Sequence, residues 1–292
     1  MRTETIISFD GTPLHVNVSG DGPIDFLLCD GIGCAGFVWR YLRPVLERYG
    51  RVLHLHMRGH GQSGRPTQAD YTHIRHLADD WSVVLAALGG GQAVAIGHSM
   101  GVQVSLELWK RHRSLVDGLV LMCGSYQNPV STFHDGPHME RLLPILKALS
   151  KVGGRPLHSL WQKALRLPIA YHVARVTEVH PDLTRKADFE PYLKDLAEIE
   201  PALFFQMLAC AGEHSAAEYL NDIDVPTLVV AAGQDQFTPS RLSEEMAKMI
   251  PGASLHLVQD ATHSAPIEFP SSINDRVLAF LEESDLIRPA AS

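Results

Sequence analysis

A serine hydroxyl becomes a nucleophile when a base takes its proton and an acid orients that base. Three separated segments of this chain offer those parts. Gly97-His98-Ser99-Met100-Gly101 sets Ser99 between two glycines. The apolar run 93–96 before it reads as a buried strand, and 102–112 after it reads as a helix. Strand, sharp turn and helix is the context in which G-x-S-x-G lifts a serine clear of a sheet. The N–H groups opening the helix then face the place where an oxyanion would form. Asp235 lies in Gly233-Gln234-Asp235-Gln236-Phe237-Thr238-Pro239, directly after the apolar strand 226–232. His263 lies in Asp260-Ala261-Thr262-His263-Ser264-Ala265-Pro266, after the strand-like 254–258. Serine, acid, histidine is the chain order that suits this arrangement, with all three in loops at one edge of a sheet.

Each residue has a plainer reading. Asp235, between glycine and proline, could shape a turn, and His263 is one of sixteen histidines. Their order and spacing relative to Ser99 carry the assignment. Asp260 and Glu268 compete as the acid, but they lie so close to His263 in sequence that turn or helix-cap roles are expected of them.

The elements that must hold these residues follow from periodicity. Apolar runs at 6–9 and 14–18 flank Asp10-Gly11, the pattern of a hairpin with a two-residue turn. Strands follow at 24–29, 52–57 and 119–123. A helix is expected over 37–49, kinked or restarted by Pro44. Apolar positions 74, 77, 81, 84, 85 and 88 advance by three or four, a helix buried on one face. Between 126 and 221 the alternation stops: helices are expected at 139–152, 157–167, 169–179 and 189–213, punctuated by prolines. Helices near 240–250 and 271–283 complete the chain, and 288–292 reads as a frayed tail.

At 292 residues and 45% hydrophobic, the chain is long and apolar enough for a substantial core. A formal charge of −8 gives no sign of nucleic acid or anionic membrane as a partner. No stretch approaches a membrane span and residues 1–5 lack a secretory signal, so a cytoplasmic protein is expected. The four cysteines, 29, 34, 123 and 210, show no zinc-binding spacing. Cys34 could be a reachable thiol, although packing is the simpler expectation.

Together, Asp30-Gly31-Ile32-Gly33, Arg58-Gly59-His60-Gly61-Gln62-Ser63, the elbow, the acid loop and the histidine loop resemble the α/β-hydrolase superfamily over nearly the whole chain. The resemblance implies an α/β fold: a mostly parallel eight-stranded sheet flanked by helices, with an inserted helical cap. Residues 1–125 and 222–292 would form the core and 126–221 the cap. It implies no metal and no organic cofactor, and a small-molecule ester or related acyl substrate. By motif position the oxyanion hole would be the N–H groups of Ile32 and Met100, with Gly31 and Gly33 allowing close approach.

One departure stands out. The superfamily usually has His-Gly where this chain has Asp30-Gly31, and Asp-x-Arg-Gly-His-Gly where it has His56-Met57-Arg58-Gly59-His60-Gly61. An unpaired carboxylate at about 6 Å from the oxyanion, at an effective dielectric of about 20, would cost roughly 3 kcal/mol, about two decades of rate. Asp30 must therefore be paired, protonated or turned away. A contact with His56 is expected, with Arg58 as the alternative partner and capping of its own turn as the plainer reading. The activity expected is ester cleavage through an acyl-enzyme. Lactones, activated carbon–carbon bonds and perhydrolysis are open to the same triad, and a hydrolase-like ligand receptor is the non-enzymatic alternative. Met139, Leu142, Leu143, Leu146, Trp161, Phe204, Phe205 and Met207 are pocket or cap-core candidates.

Overall fold

Eight strands form one sheet in the order β1-β2-β4-β3-β5-β6-β7-β8. The computed structural model describes residues 1–91, 93–133, 136–177 and 179–288. The strands are β1 Arg2–Ile7, β2 Pro13–Ser19, β3 Asp25–Cys29, β4 Arg51–Leu55, β5 Ala93–His98, β6 Val116–Met122, β7 Thr227–Ala232 and β8 Ser254–Val258. β1 and β2 pair antiparallel, β2 meets β4 antiparallel, and every later pairing is parallel. The inner parallel strands read as unbroken apolar runs because both faces are covered. Alternation sorts their side chains: Leu27, Leu53, Ala95, Leu119 and Val229 pack on one face with Trp81 and Trp109. Phe26, Val52, Val94, Ile96, Val120 and Val230 pack on the other with Trp39, Val277 and Phe280.

The helices are α1 Arg43–Leu46, α2 Ile74–Ala87, α3 Met100–Arg111, α4 His138–Arg166, α5 Pro168–Thr177, α6 Lys186–Glu198, α7 Pro201–Glu213, α8 Ser240–Met249, α9 Ala265–Glu268 and α10 Pro270–Glu283. Between β6 and β7 the described residues contain helices and no strand. Among the described residues, no helix is long and apolar enough to cross a membrane.

Several boundaries differ from the sequence expectations. The β1–β2 reversal is not a two-residue turn at Asp10-Gly11. It is a wider loop closed by Ser8 N–H to the Thr12 carbonyl at 2.9 Å. The Asp10 carboxylate organises it by accepting from Thr12 N–H at 3.1 Å and from Arg58 Nη1 at 3.1 Å. The helix expected over 37–49 is a 3-10 turn, Phe37–Trp39, followed by α1, whose first turn holds Pro44 where its missing N–H costs nothing. The segments 139–152 and 157–167 run together as α4, broken at Gly154 with φ +46°. The segment 189–213 is two helices, because Pro201 opens α7. The frayed tail expected at 288–292 lies, past Arg288, outside the described residues.

In this strand order the chain leaves β3 toward β4 and returns on the other side of β3 as β5. The crevice at the carboxyl ends of β3 and β5 is therefore the switch point where open α/β sheets place ligands.

Candidate active site

Ser99 occupies the turn between β5 and α3 at φ 57°, ψ −120°, a conformation that costs a non-glycine residue about 1–3 kcal/mol. The flanking glycines are there for contact as much as for conformation. A Cβ on Gly101 would lie 1.9 Å from the Cys29 carbonyl oxygen, and one on Gly97 would lie 2.3 Å from the Gly101 carbonyl oxygen. Any side chain at either position would push the elbow off the end of β3.

His263 Nε2 lies 2.9 Å from Ser99 Oγ, and His263 Nδ1 lies 2.8 Å from Asp235 Oδ2. Asp235 is buried, and its Oδ1 accepts the Phe237 and Thr238 N–H groups at 2.8 and 2.9 Å. The Thr238 hydroxyl sits 2.9 Å from both Asp235 Oδ2 and the Cys123 carbonyl. As an acceptor, the Asp235 carboxylate takes Nδ1–H from His263, which leaves the Nε2 lone pair facing Ser99. Gly233 admits this loop, since a Cβ there would meet the Gln259 carbonyl at 2.3 Å.

The competing acids lie elsewhere. Asp260 is exposed. Glu268 is buried and accepts from Thr262 N–H at 2.8 Å, Thr262 Oγ1 at 2.6 Å and, beyond β6, His180 N–H at 2.8 Å. It braces the histidine loop against the helical segment.

On the oxyanion side, neither Ile32 N–H nor Met100 N–H donates to another described residue. Both residues line the cavity above Ser99. Gly31 lets their loop close on the elbow: a Cβ there would be 2.9 Å from Ser99 Cβ.

The expected partner of Asp30 is not the one the structure provides. Its buried carboxylate accepts Trp39 Nε1–H at 2.6 Å and meets His54 Nε2 at 2.7 Å. His54 and His56 share a face of β4 and its extension, with rings 5.0 Å apart. His56 is drawn toward β2 instead: its Nδ1 accepts Gln62 N–H at 3.0 Å and its Nε2 lies 3.2 Å from the Asn17 amide. Burial pushes the His56 imidazole down to about 3, so it is neutral and has no charge to offer Asp30. Arg58 is also committed elsewhere, donating to Asp80 Oδ2 at 2.8 Å, Asp10 Oδ2 at 3.1 Å and Ser8 Oγ at 3.1 Å.

Two further histidines support the site without having been singled out in the sequence. His60 Nε2 accepts Gly33 N–H at 3.1 Å while Nδ1–H donates to the Arg58 carbonyl at 3.2 Å, so His60 anchors the loop presenting Ile32. Burial lowers its pKa. His98, the variable residue of the elbow, lies with Nε2 2.8 Å from the His263 carbonyl oxygen, to which it donates. Burial, then the neighbouring His263, pushes His98 down to about 4, so it stays neutral around pH 7. Each stood inside a quoted motif, which was the available signal.

Above Ser99 lies a cavity of about 330 Å³, within the range of small-molecule sites. Of the sequence candidates, Met139, Trp161, Phe204 and Phe205 line it. Met207 is core, Leu142 is half exposed, and Leu143 faces an outer groove between α4 and α7. Leu146 is half-buried away from the cavity lining. Phe37, Phe133, Phe189, Tyr192, Leu208 and Phe237 add to the apolar wall, and Cys34 is buried against it. No Lys, Arg, Asp or Glu lines the cavity among the described residues.

Comparison with known proteins identifies the family. Residues 26–276 match the model of the alpha/beta hydrolase family. The chain belongs to the alpha/beta hydrolase family. This hydrolase is 28% identical over 288 residues to a candidate carbamate hydrolase, RutD, of Caulobacter vibrioides, covering 97% of this chain and 99% of that protein. It is 28% identical over 266 residues to the 2-hydroxy-6-oxo-6-(2'-aminophenyl)hexa-2,4-dienoic acid hydrolase of Metapseudomonas resinovorans, covering 87% of this chain and 81% of that protein. Its fold superposes on a thermophilic esterase from Thermogutta terrifontis with a TM-score of 0.75 at 21% identity, over 97% of this chain and 99% of that one.

Proposed function

We propose that this alpha/beta hydrolase cleaves neutral carboxylic esters through an acyl-enzyme on Ser99. The observation that carries the reading is the Ser99 hydroxyl, hydrogen-bonded to an Asp-held histidine and opening into an apolar cavity without a charged wall residue among those described. His263 takes the Ser99 proton as Oγ attacks the ester carbonyl. The developing oxyanion faces the N–H groups of Ile32 and Met100. His263 then gives its proton to the departing alcohol, and water repeats the sequence on the acyl-enzyme. Residues 126–221 act as the cap: they exclude water and supply walls such as Met139, Trp161, Phe204 and Phe205.

The cavity wall also weighs between substrates open to one triad. A dienoic acid of the kind named for the Metapseudomonas relative carries a carboxylate, and burying it without a cation is costly. An uncharged ester meets no such cost. The test is a panel of p-nitrophenyl esters of rising acyl length, with a lactone and a vinylogous diketone acid added. Ester turnover that vanishes in Ser99→Ala is expected. Far higher kcat/KM on the lactone or diketone acid would reject the ester reading, and binding without turnover of any would favour a ligand receptor.

A further inference from the structure

Helix α4 is apolar on its outer side as well as its inner one. Leu142, Ile145, Leu149 and Val152 advance by three, four and three residues, which sets them along one line of the helix. They are 50%, 57%, 61% and 89% exposed. The inner side is a different one: it buries Leu143 and Ser150 and gives Met139 to the cavity. Seven of the thirteen large hydrophobic side chains exposed among the described residues fall between 142 and 169, a patch rather than the ordinary scatter of single residues. Charge on α4 is as one-sided as its hydrophobicity. The helix carries six lysines and arginines against one acid, Glu140, in a chain whose formal charge is −8. Exposed Arg141 stands one turn from Ile145, exposed Lys151 precedes Val152, and exposed Arg155 follows the break at Gly154. None of these three makes an ion pair among the described residues, whereas Arg166 at the end of the helix is paired with Glu198.

We propose that the outer face of α4 docks on an anionic lipid surface, with the stripe sunk into the acyl boundary and the cations against the headgroups. An exposed aliphatic line beside unpaired Lys and Arg is the pattern that lies in a membrane interface without spanning it. The negative balance of the chain lies outside α4, so an anionic surface attracts this side of the molecule and repels the rest. Charge also decides against a second copy as the occupant, since α4 laid on another α4 would bring cations against cations. The stripe is purely aliphatic and lacks the aromatic anchors that a protein partner would grip. Docking of this kind needs no turnover and stands apart from the choice of substrate.

Vesicle sedimentation of the whole protein tests this. Mixed phosphatidylcholine–phosphatidylglycerol vesicles should bind it at low ionic strength, and pure phosphatidylcholine vesicles at least about tenfold more weakly. Added salt should weaken the first and leave the second nearly unchanged. Arg141→Gln, Lys151→Gln and Arg155→Gln together should weaken binding to the mixed vesicles roughly a hundredfold, at about fivefold per charge. Ile145→Ser with Leu149→Ser keeps every charge and should still cost about tenfold or more. Circular dichroism checks the fold of each variant, and the comparison of the two lipid compositions decides on the unaltered protein even where a variant does not fold. Binding to neither vesicle, equal binding to both, or wild-type binding by both folded variants overturns the proposal. So does a dimer in sedimentation equilibrium that Leu149→Ser dissolves in a protein that ignores vesicles, which would give the face to a second copy.

Discussion

Two acid–histidine pairs stand at the same end of the sheet, and only one of them reaches a hydroxyl. Asp235 and His263 are 2.8 Å apart, and the far nitrogen of His263 meets Ser99 at the floor of the cavity. Asp30 and His54 are 2.7 Å apart, yet the far nitrogen of His54 has no partner among the described residues. Gly36, at φ +100°, covers it so closely that a Cβ there would fall 2.5 Å from His54 Cε1. The side chains of the second pair are 1% and 0% exposed, against 15% for His263. The same dyad thus meets a hydroxyl where its outer nitrogen opens onto the cavity, and is a buried tie where backbone closes it off. Residue type does not distinguish the two; the neighbour of the second nitrogen does.

The widest gap between the pairs comes from removing the hydroxyl. Ser99→Ala should lower ester turnover by about 10⁴- to 10⁶-fold with the fold retained. An organophosphate should label Ser99 alone, and intact-mass analysis showing another serine modified would move the reactive pair elsewhere. Next in size, Asp235→Asn should cost roughly 10⁴-fold in kcat by favouring the wrong imidazole tautomer. Asp260→Asn should stay within about twofold of wild type. The reverse ranking would transfer the acid role to Asp260.

The second pair should answer in stability instead. Asp30→Ala leaves His54 and the Trp39 indole N–H without their acceptor, and breaking a buried pair of this kind costs about 3–5 kcal/mol. Urea midpoints measure that loss, while turnover of the folded fraction should fall only about tenfold through the loop carrying Ile32. A 10⁴-fold loss in fully folded protein would make Asp30–His54 a catalytic pair and collapse the contrast.

The smallest effect sharpens the contrast by pH. Half-buried Asp195, on α6, is pushed up to about 6 by burial and then by the charge of Asp30. A raised carboxyl pKa means that folding favours the protonated form. Its contribution is full below the ordinary aspartate range and is lost as pH rises through about 6. Asp195→Asn should therefore be more stable than wild type at pH 8 by about 1 kcal/mol, after allowance for solvent screening, and no more stable at pH 4. Equal stability differences at both pH values would show that Asp195 does not feel the buried pair.

The sequence made the first pair readable and hid the second. Ser99, Asp235 and His263 each follow a strand in a fixed order, so local context and chain order suffice to nominate them. The partner of Asp30 depends on a choice between two histidines that alternation puts on one face. That choice is made by contacts between loops and strands: Trp39 joins Asp30, while Asn17 of β2 and Gln62 hold His56. The sheet was legible because buried parallel strands are continuous apolar runs. Helix limits in 138–213 were less so: Pro201 starts a new helix, whereas Gly154 leaves one broken helix instead of two. The cavity wall draws on α3, α4, α6 and α7 together, and no single-element periodicity encodes such a convergence.

The hydrogen bond from His98 to the His263 carbonyl has a mechanical consequence. β5 and β8 are separated by two intervening strands, so their backbones stand about 14 Å apart at ordinary strand spacing. Small errors in three successive spacings would accumulate between Ser99 and His263 if the sheet alone set their distance. A residue adjacent to Ser99 in the chain grips the backbone of His263 itself at 2.8 Å, so the working gap is gauged locally and not across the sheet. Thermal breathing of the edge strand β8 can then carry elbow and histidine loop together, leaving the 2.9 Å contact between Ser99 and His263 nearly untouched.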